Sequence, residues 1–195
     1  MIFLTGATAD YTDILDWFIE NYQKHISLPL YIADFGLKKE YPNTIKINWK
    51  DNAWFYKPRA ILEAPSEQVC WIDCDIEIHE DISDIFSLTG SAHFGMTKDW
   101  CNRNTEWQTG LVCVKNKQAL MKWVEICEYR QYRGDQEAFE FIKNRYRIQE
   151  IPREYNWLRL AEENDMVKCH HWTGQKGKQI IRSKIYEMSN GKEPT

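Results

Sequence analysis

Apolar residues in this chain fall into two spacings that alternate along its length. Short strand-like runs at 2–6, 30–34, 44–48, 69–73, 92–96, 110–114, 147–151 and 167–170 each predict a strand. Between them the spacing widens to that of one helix face. A first helix is expected over 12–24, with Ile14, Leu15, Phe18 and Tyr22 aligned, and a second from Lys57-Pro58, where proline suits the first turn. A third is expected over 117–129 (Leu120, Trp123, Val124, Cys127) and a fourth over about 136–145 (Ala138, Phe139, Ile142). Strands alternating with helices predict an α/β layer fold. The start, Met1 to Ala7, has no basic segment and too short an apolar run for a signal peptide, so it reads as the first strand.

Length and composition narrow this picture. At 195 residues, 43% of them hydrophobic and 14% aromatic, one domain spanning 1–195 is expected, with a full core. Trp17, Trp54 and Trp123 are expected in that core. The net charge of -4 argues against a nucleic-acid partner, and no apolar stretch is long enough to span a membrane. The cysteines Cys70, Cys74, Cys101, Cys113, Cys127 and Cys169 form no CxxC pair, which predicts free thiols and a cytoplasmic setting. The last stretch, 174–195, holds Lys176, Lys178, Arg182, Lys184 and Lys192 against Glu187 and Glu193. Two readings of that basic tail stand: a flap facing phosphates, or a solvated, frayed end.

The most informative segment is Val69-Cys-Trp-Ile-Asp73-Cys-Asp75-Ile-Glu-Ile78. An apolar run of this kind reads as a strand buried on both faces. Carboxylates at its end are costly unless something charged meets them. Side chains two apart on an extended segment point the same way, so Asp73 and Asp75 are expected to share a hard divalent cation.

From Trp71 to Phe86 the chain resembles the DxD region of the GT-A glycosyltransferases, most closely the glycogenin and galactosyltransferase-like family 8. Further landmarks follow the order of that family. They are Asp10-Tyr11 after the first strand, Lys57 sixteen residues before Asp73, Gln108-Thr-Gly110, Gly134-Asp135-Gln136, Pro152 with Tyr155-Asn156, and His171-Trp-Thr-Gly174. Together they cover about 2–178. The resemblance implies a single-domain, Rossmann-like GT-A fold whose central sheet is mixed but mainly parallel and flanked by helices. It also implies a metal-dependent transferase that moves a sugar from a nucleotide diphosphate sugar, UDP-linked, to a glycan, glycolipid or protein acceptor, with retention of configuration.

The same resemblance assigns roles. Asp73, Asp75 and His171 would hold Mn²⁺ or Mg²⁺. Asp10, Tyr11, Lys57, Asp73, Cys74, Gly174, Lys176 and Lys178 would bind the nucleotide sugar, and Asp135 and Gln136 would act on the transferred sugar. There are two departures from the pattern. Gln108 stands where Asn is usual, and position 177 is Gly where the family has Lys, which leaves Lys176 or Lys178 for the pyrophosphate.

Simpler roles exist for each residue: a turn for Asp73 and Asp75, a helix cap for Asp135-Gln136, a core aromatic for Tyr11, a solvated helix position for Lys57, and a structural imidazole for one of His170 and His171. Among rival functions, a dehalogenase-type phosphatase would want Thr or Val where Glu77 stands. A nucleotidyltransferase would want a Gly-rich basic loop where Thr5 to Asp10 lies. A non-catalytic GT-A module that binds a nucleotide sugar or glycan is the alternative function.

Overall fold

A computed structural model of the chain describes residues 1–50, 52–101, 104–129, 132–162, 164 and 166–191. In chain order the elements are β1 (Ile2–Ala7), α1 (Thr12–His25), β2 (Leu30–Asp34), β3 (Thr44–Lys46), α2 (Lys57–Glu63), β4 (Val69–Ile72), β5 (Ile76–Ile78) and α3 (Ile85–Leu88). Then follow β6 (Phe94–Lys98), β7 (Trp107–Val114), α4 (Leu120–Tyr129), α5 (Asp135–Ile142), β8 (Ile148–Glu150), β9 (Trp157–Leu158), β10 (Cys169–His171) and α6 (Gly174–Ser189). Seven strands make the central sheet in the order β3-β2-β1-β4-β7-β6-β8, and β5-β10-β9 make a small second sheet. Four of the central pairings are parallel, while β7 runs antiparallel to both its neighbours.

Alternation along the central strands builds two hydrophobic layers. Leu4, Trp71, Val112 and Val114 point to the side covered by α2, α4 and α5, where they meet Ala60, Ile61, Leu120, Trp123 and Phe139. Phe3, Cys70, Ile72, Leu111 and Cys113 point to the other side, against Ile14, Trp17 and Phe18 of α1 and Ile76, Ile78 and Phe86. A sheet covered on both faces explains why its strands read as continuous apolar runs.

Several expected bounds move. The strand expected over 92–96 is Phe94–Lys98, that over 110–114 already starts at Trp107, and that over 167–170 is Cys169–His171. The strands expected over 44–48 and 147–151 shorten to Thr44–Lys46 and Ile148–Glu150, and the third and fourth helices are flanked by 3-10 turns at Lys117–Ala119 and Lys143–Arg145. β5 and β9, with three and two residues, are too short to show alternation in the sequence.

The basic tail is helical over Gly174–Ser189 rather than frayed, and Lys192 and Glu193 lie outside the described residues. Its charges turn inward. Lys178 pairs with Asp75, Arg182 with Asp13, and Lys184 with Glu77. Composition registered an excess of lysine and arginine but not the acids that meet it. Among the described residues no helix is long and apolar enough to cross a membrane, and all six cysteines are free.

Candidate metal and nucleotide site

A cavity of about 780 Å³ opens at the end of the sheet where β1, β4 and β6 finish and β7 starts. In α/β sheets this strand end is where ligands bind. Asp73 and Asp75 converge there for a reason other than the expected one. The chain does not stay extended after Ile72. It turns, with the Ile76 N–H donating to the Asp73 carbonyl at 3.1 Å, and the second strand β5 begins. This turn, not strand alternation, brings the two carboxylates together.

The third member arrives from far along the chain. β10 pairs antiparallel with β5, with His171 opposite Ile76, and the Trp172 N–H donates to the Asp75 carbonyl at 2.9 Å. His171 Nε2 thereby lies 3.3 Å from Asp75 Oδ1 and 3.9 Å from Asp73 Oδ2. One ligand atom from each of the three residues lies within 4.8 Å of the others. The other ring nitrogen, Nδ1, is 3.0 Å from Asn156 Oδ1, and the Asn156 amide nitrogen donates to Thr97 Oγ1 at 3.0 Å. With the Asn156 oxygen engaging Nδ1, Nε2 is the ring nitrogen turned to the two acids. Two carboxylates and one oriented imidazole make a donor set that fits a divalent cation such as Mn²⁺ or Mg²⁺.

Lysines brace both acids. Lys57, the first residue of α2, is 4% exposed. Its Nζ donates to the Thr109 carbonyl at 2.8 Å and lies 3.1 Å from both Asp73 Oδ1 and Asp135 Oδ2. Burial works against its charge, but the two carboxylates outweigh it and hold the ammonium above its ordinary range. Lys178 Nζ lies 2.7 Å from Asp75 Oδ2. Burial alone would raise the Asp75 carboxyl, but His171 and Lys178, each on one of its oxygens, hold it below the usual carboxylate range. Asp135 behaves oppositely. Burial lifts it, and Lys57 offsets only part of that. Its Oδ2 makes the ion-pair contact with Lys57 but has no hydrogen-bond partner among the described residues.

Glycine at 177, the departure from the family pattern, has a steric cause. A Cβ built there would lie 1.8 Å from the Trp172 carbonyl oxygen, because the first turns of α6 press on that backbone. No side chain fits, and Lys178 on the following position reaches the cavity instead. Lys176 is exposed and does not line the cavity. Gly174 lines it with φ +76°, a backbone that other residues rarely adopt.

Asp10, Tyr11 and Cys74 also line the cavity. The Asp10 carbonyl accepts from Arg182 at 3.0 Å, and Lys178 Nζ sits 5.4 Å from the centre of the Tyr11 ring. The Cys74 thiol is pushed up by burial and then by Asp75 and Asp73, so it stays protonated.

Gln136 belongs to a hydrogen-bonded group that sequence reasoning missed. Its Nε2 donates to Asp99 Oδ2 at 2.8 Å and to Thr105 Oγ1 at 2.7 Å. Gln108 Nε2 donates to the same Asp99 oxygen at 2.7 Å. Asp99 thus orients both glutamines. The signal was weaker than at Asp73: Asp99 follows a strand that points the same way as β4, but Thr97 and Lys98 separate it from the apolar residues of that strand. Trp54 was also misread. Trp17 and Trp123 are buried, but Trp54 is 51% exposed and lines the cavity rim.

No protein-family model matches the sequence, and no curated protein matches it. Solved structures do. GlyE, a glycosyltransferase of Streptococcus pneumoniae TIGR4, superposes with a TM-score of 0.69 at 13% identity, over 89% of this chain and 55% of GlyE. The chain therefore spans about half of that protein's length. The galactosyltransferase LgtC, crystallised with donor and acceptor sugar analogs, gives a TM-score of 0.67 at 12% identity, over 100% of this chain and 97% of LgtC. A glycosyltransferase involved in glycosylation of the major capsid of PBCV-1 gives 0.64 at 15% identity, over 94% of this chain and 98% of that one. The protein has the GT-A fold that its sequence resembles.

Proposed function

We propose that this protein transfers a sugar from a nucleotide diphosphate sugar, UDP-linked, to an acceptor hydroxyl with the help of a divalent cation. One observation carries the reading: Asp73, Asp75 and the Nε2 of His171 converge within 4.8 Å at the sheet end, with Nδ1 already committed to Asn156. These residues would hold Mn²⁺ or Mg²⁺, which would supply positive charge against the departing diphosphate. Lys178 and the start of α6 add positive potential on the same side, next to Asp10 and Tyr11, which would hold the nucleotide.

Asp135 and Gln136 act on the transferred sugar. Asp135 Oδ2 is taken up by Lys57 at 3.1 Å, so the other oxygen of this cavity-lining carboxylate would meet a sugar hydroxyl. Lys57 keeps Asp135 and Asp73 at a fixed spacing. Retention of configuration follows from the family likeness, with the leaving phosphate drawing the acceptor's proton. The same reading takes 1–195 as one catalytic domain, a glycan, glycolipid or protein as acceptor, and a reducing, cytoplasmic setting in keeping with the free thiols.

The test is UDP release from a panel of UDP-sugars, with Mn²⁺ and with EDTA, in the wild type and Asp75→Ala. Release that needs the metal and disappears in Asp75→Ala supports the transferase. Metal-dependent binding without release favours the non-catalytic module. A protein that neither binds nor releases any donor overturns both.

A further inference from the structure

The cavity carries more acid than base. Asp10, Asp73, Asp75, Asp99 and Asp135 line it against Lys57, Lys178 and Arg133. Two of the three cations are committed, Lys57 to Asp73 and Asp135, and Lys178 to Asp75. Arg133 is not. It is exposed, only its backbone N–H is engaged (donating to Glu137 Oε2 at 3.0 Å), and its guanidinium has no ion pair or hydrogen bond among the described residues.

Trp54 stands beside the following residue, Gly134, and lines the same cavity as Arg133. A Cβ built on Gly134, the residue after Arg133 and the cap of α5, would lie 3.9 Å from Trp54 Cδ1. The indole is 51% exposed, and among the described residues no ring or cation covers its face. An uncovered aromatic face and an uncommitted planar cation therefore flank the cavity mouth, at the end of the helix that starts with Asp135 and Gln136.

Each group has a chemical preference. The indole offers a broad, rigid surface for the C–H face of a pyranose ring. The guanidinium presents a fork of donors that matches a carboxylate or phosphate in bidentate fashion. The leaving diphosphate does not need Arg133, because Lys178 and the carboxylate–imidazole set lie at its end of the cavity. A charged donor sugar fits poorly too, since the deeper walls are lined by acids. The rim is what an incoming acceptor meets first.

We propose that Arg133 and Trp54 form an acceptor subsite that selects a sugar bearing a carboxylate or phosphate group. The inference rests on the transferase reading above and adds the acceptor's class to it.

Its test is a binding titration of wild-type protein loaded with Mg²⁺ and UDP, at low salt, followed by ligand-observed NMR. The probes are methyl glucoside, methyl glucuronide and methyl glucoside 6-phosphate. At least one anionic probe is expected to bind roughly tenfold tighter than the neutral one, about the worth of one good charge-assisted contact. Arg133→Gln is expected to remove the difference, and Trp54→Ala to weaken all three alike. Comparing the two anionic probes tells carboxylate from phosphate. Anionic probes that bind no better than the glucoside, or a preference that survives Arg133→Gln, overturn the proposal. Binding is the readout, so a protein that releases no UDP still answers the question. A protein that releases UDP but shows no preference for anions loses this inference alone.

Discussion

The Asn156 carboxamide oxygen sits 3.0 Å from His171 Nδ1 and fixes which ring nitrogen faces the acids. Asn156 is itself held by Thr97 and is buried at 2% exposure, so the ring has little freedom to turn. Partners of this kind set the tautomer and aim of a metal-binding histidine, and losing one costs about 10- to 100-fold in metal affinity. Asn156→Leu is expected to weaken Mn²⁺ binding by that order, measured by calorimetry or by the EPR signal of free Mn²⁺. Unchanged affinity would mean that Asn156 only fills space.

Lys57 links Asp73 and Asp135 from a position almost wholly out of solvent. Removing one partner of a buried ion pair leaves the other charge uncompensated, at a cost of about 3–5 kcal/mol. Lys57→Met should lower unfolding stability by that order, measured as a shift of the denaturant midpoint at constant slope. Adding Asp135→Asn should recover part of the loss, because one of the stranded carboxylates is then gone. A double variant no more stable than Lys57→Met would place the cost elsewhere.

Gly177→Ala tests the packing of α6 on Trp172. In an exposed helix interior, replacing glycine with alanine stabilises by about 0.5–1 kcal/mol. Here the added Cβ would meet the Trp172 carbonyl oxygen at 1.8 Å, and backbone cannot swing aside as a side chain can. The sign is therefore expected to reverse, with a loss of about 1–3 kcal/mol. Lys178 should move away from Asp75 as the helix shifts, so nucleotide binding should weaken along with stability. A stabilised variant would contradict this packing.

His170 gives the fold a pH dependence of its own. The ring lies flat on Trp172, centroids 4.0 Å apart at 10°, and its Nε2 is buried with no partner among the described residues. Burial draws its pKa from 6.5 to about 4. The unfolded chain takes up a proton near the higher value, and the folded one refuses it until the lower. This contribution is full above pH 6.5 and falls as pH drops toward 4. Because the ring is only partly buried, solvent screening should limit the effect to about 1–2 kcal/mol. Urea midpoints at pH 7.5 and 4.5 should differ more for the wild type than for His170→Phe. Equal differences would assign the pH dependence to other groups.

Much of the site was legible in the sequence because its parts are local. Val69 to Ile72 had to be a strand buried on both faces, and an acid directly after it had to lie at the sheet's ligand end. Asp135 and Gln136 had to open a helix, because α5 follows a glycine cap. The roles proposed for Asp10, Tyr11, Lys57 and Lys178 rest on their order along the chain, which resembles that of a known family. Asp99 went unread because Thr97 and Lys98 separate it from the nearest apolar residues and no motif drew attention to it.

By itself, then, the sequence determined the alternation of strands and helices, the two-faced burial of the sheet, and which acids end its strands. Each of these follows from spacing and hydrophobicity over a few residues. Only the tertiary structure decided that a turn, not an extended segment, joins Asp73 to Asp75. It alone set His171 and not His170 against the acids, because pairing of β10 with β5 aims one imidazole at the cavity and lays the other on Trp172. It also decided that the basic tail is a helix whose lysines and arginine meet acids far away in the chain. Those outcomes depend on strand register and on contacts between distant segments, which local patterns of polarity do not encode.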